Sequence, residues 1–230
     1  MKQTHSFLLA GFLLTATTTV ANAQISFGPR IGLNSAVVKG IRGEDVANDS
    51  RFGSQIGLVV NVQFGNLAIQ PAILYTQKGY RTEDEVMANG ITATSKASAR
   101  LDYAEIPVNL VYNVGKTSGF QIFAGPYVGF GIGGKVKFEQ KISDPSGRLS
   151  DETKEDIDVK FASKEGSDNK VYIRRFDVGA NAGIGYKTGP IQAQLGFGFG
   201  FRDLAPEYPE STKATNRVLQ LSLTYLFDAK

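Results

Sequence analysis

The chain has no cysteine, no tryptophan and a single histidine. Without Cys there is no disulfide, no thiolate nucleophile and no Cys-ligated metal. The histidine is His5, inside the stretch read below as a cleaved leader. A mature chain without imidazole excludes Ser-His-Asp and Cys-His catalysis and His-ligated zinc or iron. Long apolar runs are missing too. Beyond the leader nothing approaches the ~20 residues that a membrane-spanning helix needs. Net charge is only +3, too little to argue for a nucleic-acid partner.

What is present begins with an export signal. Lys2 supplies the positive n-region and Phe7 to Thr15 the apolar h-region. Ala21-Asn22-Ala23 is an A-x-A cleavage site, so the mature chain is expected to start at Gln24. The residue after the cut is not Cys, which argues against a lipoprotein anchor. Residues 1–23 are thus read as a signal peptide and 24–230 as one domain.

Charge is unevenly placed. The segments 38–51, 81–100, 135–173 and 203–217 hold 34 of the 47 charged residues. The stretches between them are nearly uncharged and alternate with period 2, the mark of strands with two unlike faces. Eight such strands are read over 25–37, 52–64, 67–79, 105–114, 120–133, 176–186, 191–202 and 217–227. Short turns at Gly65-Asn66, Gly115 to Gly119 and Lys187 to Pro190 alternate with the four charged segments, read as long loops. Pro71 and Pro126 lack an N–H and call for a bulge or a gap in the ladder.

An even strand number with one long-looped end predicts an all-β, eight-stranded antiparallel transmembrane up-and-down β-barrel. Short turns would be periplasmic and long loops extracellular. The composition of the two faces sets inside from outside. One parity is bulky and apolar; the other is Gly, Gln, Asn and a few ions. Small polar residues suit the narrow lumen of eight strands, whereas a Gly-rich face in water would weaken strands without gain. Phe27, Phe64, Tyr112, Phe120, Tyr186, Tyr225 and Phe227 near the short turns, and Tyr75, Phe130 and Phe201 toward the loops, are read as interfacial girdles.

The ions on the polar parity are Arg30, Lys78, Glu105, Asp177 and Arg202, with Arg175 at its margin. Counted from the short turns, Lys78, Glu105, Asp177 and Arg202 lie at similar heights. Structural lumen ion pairs are expected, Lys78 with Glu105 and Asp177 with Arg202, because buried charges must pair. A selectivity constriction is the functional alternative, and the many lumen glycines leave a narrow water path open. No catalytic, cofactor-binding or metal-binding residue is expected, and no cofactor. The acidic run Asp151 to Lys160 lacks the spacing of an EF-hand. It is read as solvated loop, with 136–142 and 170–176 extending their hairpin outward and offering an edge for strand addition.

The segments FGPRIGLNSAVV, LAIQPAILYTQKGY, LDYAEIPVNLVYNV, FQIFAGPYVGFGIGG, RRFDVGANAGIGYKTGP and LQLSLTYLF, in this order, resemble the PorT-like outer-membrane β-barrel ("porin") family. The resemblance spans 24–230. It implies an eight-strand barrel in the outer membrane of a Gram-negative bacterium. Most members lack an assigned activity, and the namesake serves type IX secretion and gliding. The Tyr-Leu-Phe close of the final strand is similar to the signal read by barrel-assembly machinery, although Asp228-Ala229-Lys230 follow it.

The expected function is a structural, adhesion or envelope-machinery role carried by the extracellular loops, without catalysis. A narrow porin and a soluble periplasmic lipocalin-like carrier of an apolar ligand are the alternatives. Expected partners are outer-membrane lipid and lipopolysaccharide, the assembly machinery during insertion, and a protein at the loops; nucleic acid is not among them.

Overall fold

Period-2 alternation makes strands whose two faces differ, and such strands are stable only when each face meets its own environment. The computed structural model describes residues 24–39, 49–88, 91–115, 119–143, 150–162, 170–205 and 214–229. The proposed leader over 1–23 lies outside the described residues.

Eleven strands form in chain order. They are β1 (Gln24–Lys39), β2 (Arg51–Phe64), β3 (Leu67–Ala88), β4 (Ile91–Asn113), β5 (Gly119–Ser143), β6 (Ser150–Phe161), β7 (Val171–Ile173), β8 (Phe176–Thr188), β9 (Ile191–Gly200), β10 (Thr215–Tyr225) and β11 (Phe227–Asp228). Eight of them close a ring in the order β4-β3-β2-β1-β10-β9-β8-β5, with β4–β5 pairing completing it. Each of these pairings is antiparallel. Closure leaves no sheet edge around the ring. The short turns include Gly65 and Gly189, both with positive φ, a conformation that glycine adopts without a Cβ penalty.

The apolar parity faces outward. Leu33, Leu221, Leu195 and Ile184 are exposed and follow one another across β1, β10, β9 and β8. The polar parity is buried, as with Asn34, Gln55, Gln70 and Gln194. Val59, an apolar residue on the polar parity of β2, faces inward against Ala72 and Leu74.

Prolines mark where the ladders open. Pairing skips 60–61 against 70–71 at Pro71, 72–73 against 106–107 at Pro107, and 108–109 against 125–126 at Pro126. A proline has no N–H to donate, so the rung fails there while the strand continues.

Three segments depart from the sequence reading. The stretch 81–100, expected as a long loop, is mostly strand: β3 runs on to Ala88 and β4 starts at Ile91. Its charges sit on a hairpin that rises above the barrel, where Glu83 faces Lys96 across the ladder at 2.7 Å. Charge signals water, and a strand in water keeps its pairing while changing its composition. The acidic run Asp151 to Lys160 is likewise strand, lying within β6 and paired with the outer part of β5. β7 (171–173) pairs in parallel with β6, not with β5. A bulge explains how β5 serves both levels. Ile132 has no partner between Tyr103↔Gly131 and Asp102↔Gly133, so the inward parity shifts from odd to even residues and buries Val136.

Candidate functional site

Among the described residues the lumen brings buried ionisable side chains from several strands together, and it is filled from side to side. Lys78 of β3, Glu105 of β4 and Asp177 of β8 are buried to 2%, 2% and 0% exposure. The Lys78 Nζ lies 2.5 Å from Glu105 Oε2 and 3.0 Å from Asp177 Oδ2. Asp177 Oδ2 also accepts from Asn216 Nδ2 at 2.7 Å and from the Tyr127 hydroxyl at 3.3 Å. The ammonium sits 4.3 Å from the centre of the Tyr127 ring. One cation thus ties five strands together across the barrel.

Of the expected site residues, Lys78, Glu105 and Asp177 meet, but as one cluster. Arg202 does not pair with Asp177. β9 ends at Gly200, and Arg202 is exposed with its guanidinium over the Phe176 ring at 5.6 Å. Extending the strand by two residues in the sequence reading aimed this side chain the wrong way. Lys78 takes its place because it is on the inward parity across the lumen, where long-range closure brings it to Asp177. Arg30 is luminal and has neutral partners instead of a carboxylate. It donates from Nε to Thr224 Oγ1 at 2.9 Å and from Nη2 to Gln194 Oε1 at 2.8 Å. Arg175 lies exposed outside the lumen.

Toward the short turns an amide chain crosses the barrel, and it was legible only as scattered Gln and Asn on one parity. Gln121 Nε2 donates to Asn113 Oδ1 at 2.6 Å, and Gln192 Nε2 donates to Gln121 Oε1 at 2.8 Å. Gln192 and Gln70 exchange bonds of 3.3 and 3.2 Å across the lumen. Gln70 also donates to Asn61 Oδ1 at 2.8 Å, and Asn61 Nδ2 to Ser26 Oγ at 3.2 Å. Gln192→Leu strands donors and acceptors of both glutamine neighbours. We expect a loss of about 1–3 kcal/mol, read as a lower urea midpoint for the refolded barrel.

The lumen glycines make room for large inward side chains instead of leaving a water path. A Cβ on Gly183 or Gly196 would meet the Phe123 ring at 2.6 or 2.8 Å, and one on Gly179 would meet Tyr127. At the loop end, Phe161 lies where a side chain on Gly131 would go, with its ring edge-on to Tyr103 at 5.8 Å. Phe161 packs with buried Val38, Leu101, Ile173 and Leu204 as an apolar cap over the charged cluster. A cavity near Arg30 and Gln194 has a volume of about 10 Å³, room for about one water. Among the described residues no group of three or more His, Cys, Asp or Glu side chains could hold a metal ion.

Chemically, the arrangement cross-braces a barrel. Lys78 is the shared counter-ion of Glu105 and Asp177, Arg30 has neutral partners, and many polar groups bond to one another across the ring.

Solved structures resemble this ring weakly. The attachment invasion locus protein Ail of Yersinia pestis aligns at 12% identity and a TM-score of 0.40, over 89% of this chain and 99% of that one. Neisserial surface protein A aligns at 12% and 0.37, over 87% and 97%. The translocator domain of the autotransporter NalP from Neisseria meningitidis gives 10% and 0.23, over 97% and 96%. Comparison with curated proteins gives no match. Residues 15–205 match the outer membrane protein beta-barrel domain, and the chain belongs to that family of outer-membrane barrels.

Proposed function

We propose that this is a closed, non-conducting integral barrel, antiparallel and up-and-down, whose work is carried by what it holds outside the membrane. Short turns lie on the periplasmic side; the β3–β4 and β5–β6 hairpins and the loops project outward. The role is structural, adhesive or that of an envelope-machine component, without catalysis. The filled lumen carries this reading: three cross-strand layers, amides, ions and apolar cap, occupy the space a channel would need. The β6 strand supports partner docking. Its residues 150–158 pair with β5 on one side, and Asp151, Glu152, Glu155, Asp156 and Asp158 make its run strongly acidic. A basic extended segment of a partner protein is the complement.

The test is planar-bilayer recording of the refolded chain. No discrete conductance steps are expected from the wild type. Regular steps would overturn the closed barrel in favour of the narrow porin. Gel migration with and without boiling separates both from the periplasmic carrier, which would show no heat-dependent shift.

A further inference from the structure

Three arginines stand on aromatic faces at the loop end of the outer wall. Arg175 lies over Phe130 at 5.4 Å, Arg202 over Phe176 at 5.6 Å and Arg217 over Phe199 at 5.3 Å. Two ladder pairs build the platform. Phe130 and Phe176 are direct ladder partners with ring centres 4.9 Å apart, and Phe199 is the ladder partner of Arg217. These residues run around β5, β8, β9 and β10.

We propose that this arc binds the phosphate groups of anionic lipid headgroups in the leaflet at the loop end. It rests on the membrane-spanning reading above. Phe130, Phe176 and Phe199 are exposed, as is the apolar wall below them, so their rings belong at the boundary of the acyl layer. A guanidinium stacked on such a ring has its charge at headgroup height. Among the described residues none of the three has a carboxylate within ion-pair distance, whereas Arg174 beside them reaches Asp203. Protein acceptors use only part of their donor sets. Arg175 donates from Nη2 to Phe161 O at 3.4 Å, and Arg217 donates from Nη1 to Gly200 O at 3.0 Å. Each guanidinium carries five N–H donors, so a fork remains for a phosphate oxygen pair. The other end differs. The pairs Phe27–Phe227, Tyr225–Phe227 and Phe120–Tyr186 form rings there with no arginine above them among the described residues. Lipid phosphate is therefore favoured at one leaflet, which also sets the orientation of the barrel.

The refolded full chain, in detergent micelles, would be offered lipid A, phosphatidylcholine or inorganic phosphate. Bound lipid is counted by native mass spectrometry, with heat-dependent gel mobility read in parallel. Near a membrane surface one arginine is worth roughly a fivefold change in affinity. The triple variant R175Q/R202Q/R217Q is expected to lose lipid A binding by about tenfold or more, with phosphatidylcholine retention unchanged and no competition from inorganic phosphate. Should the triple variant fail to fold, Arg202→Gln alone carries the test at about fivefold, because its side chain makes no hydrogen bond within the described protein. Equal lipid A retention by wild type and variant overturns the proposal. Displacement of lipid A by inorganic phosphate also overturns it, reassigning the arc to a soluble anion. A wild type without a heat-dependent shift instead removes the membrane reading, and this inference with it.

Discussion

Lys78→Met is expected to cost about 3–5 kcal/mol of barrel stability, the penalty for leaving buried charge without its partner. The ammonium is the shared counter-ion of Glu105 and Asp177, at 2.5 and 3.0 Å, and all three groups are almost wholly enclosed. Removing it leaves two carboxylates facing each other beneath an apolar cap, with Asn216 and Tyr127 the remaining donors to Asp177. The urea midpoint of the refolded protein should fall, and the unboiled gel should show less of the fast-migrating folded form. The triple change K78M/E105Q/D177N is the control. It removes all three charges at similar volume and leaves neutral amides in place of the buried carboxylates, so most of the loss should return. A K78M variant within about 1 kcal/mol of wild type, the range of solvent-exposed pairs, would mean that water reaches the cluster and that the lumen is open.

The second large effect lies on the opposite face. Leu221 is 54% exposed and sits between Leu33 of β1 and Leu195 of β9 in the middle of the wall. Leu221→Arg should cost about 2–4 kcal/mol if that wall meets the bilayer midplane. The same change on a water-facing strand would fall within about 0.5 kcal/mol. Unfolding measured in lipid vesicles separates the two. Because Leu221 touches neither the amide chain nor the charged cluster, its effect adds to that of Lys78→Met instead of overlapping with it. A near-neutral Leu221→Arg would return the wall to water and revive the soluble carrier.

The two predictions use different kinds of information. The wall was legible as sequence. Leu219, Leu221 and Leu223 alternate with Gln220, Ser222 and Thr224, and period 2 assigns side chains to faces without reference to any other strand. The Gly- and Gln-rich character of the second face then told lumen from water. The cluster was only half legible. Lys78 and Glu105 sit on consecutive strands, where a hairpin register brings them near each other. Asp177 is 99 residues from Lys78, and its partner depends on ring closure. Sequence adjacency suggested Arg202 instead, which the true end of β9 excludes. The amide chain had the same obstacle. Gln70 and Gln192 meet across the lumen at a separation of 122 residues, and no local pattern encodes such a meeting.

Charge patterning misled at one point for a physical reason. In 81–100 and in the run Asp151 to Lys160 the acids and lysines read as loop. Charge reports contact with water, and strand pairing survives that contact once Glu83 and Lys96 can face each other across a ladder.

The sequence by itself determined the eight strands of the wall and the parity that faces outward. These follow from properties of single residues and their nearest neighbours in the chain. Only the tertiary structure decided that the lumen is filled, that Lys78 holds two carboxylates and that Phe161 caps them. Those outcomes depend on which strands close the ring and at what stagger. That choice is set by many weak contacts summed over distant segments, and it leaves no mark in any one stretch of sequence.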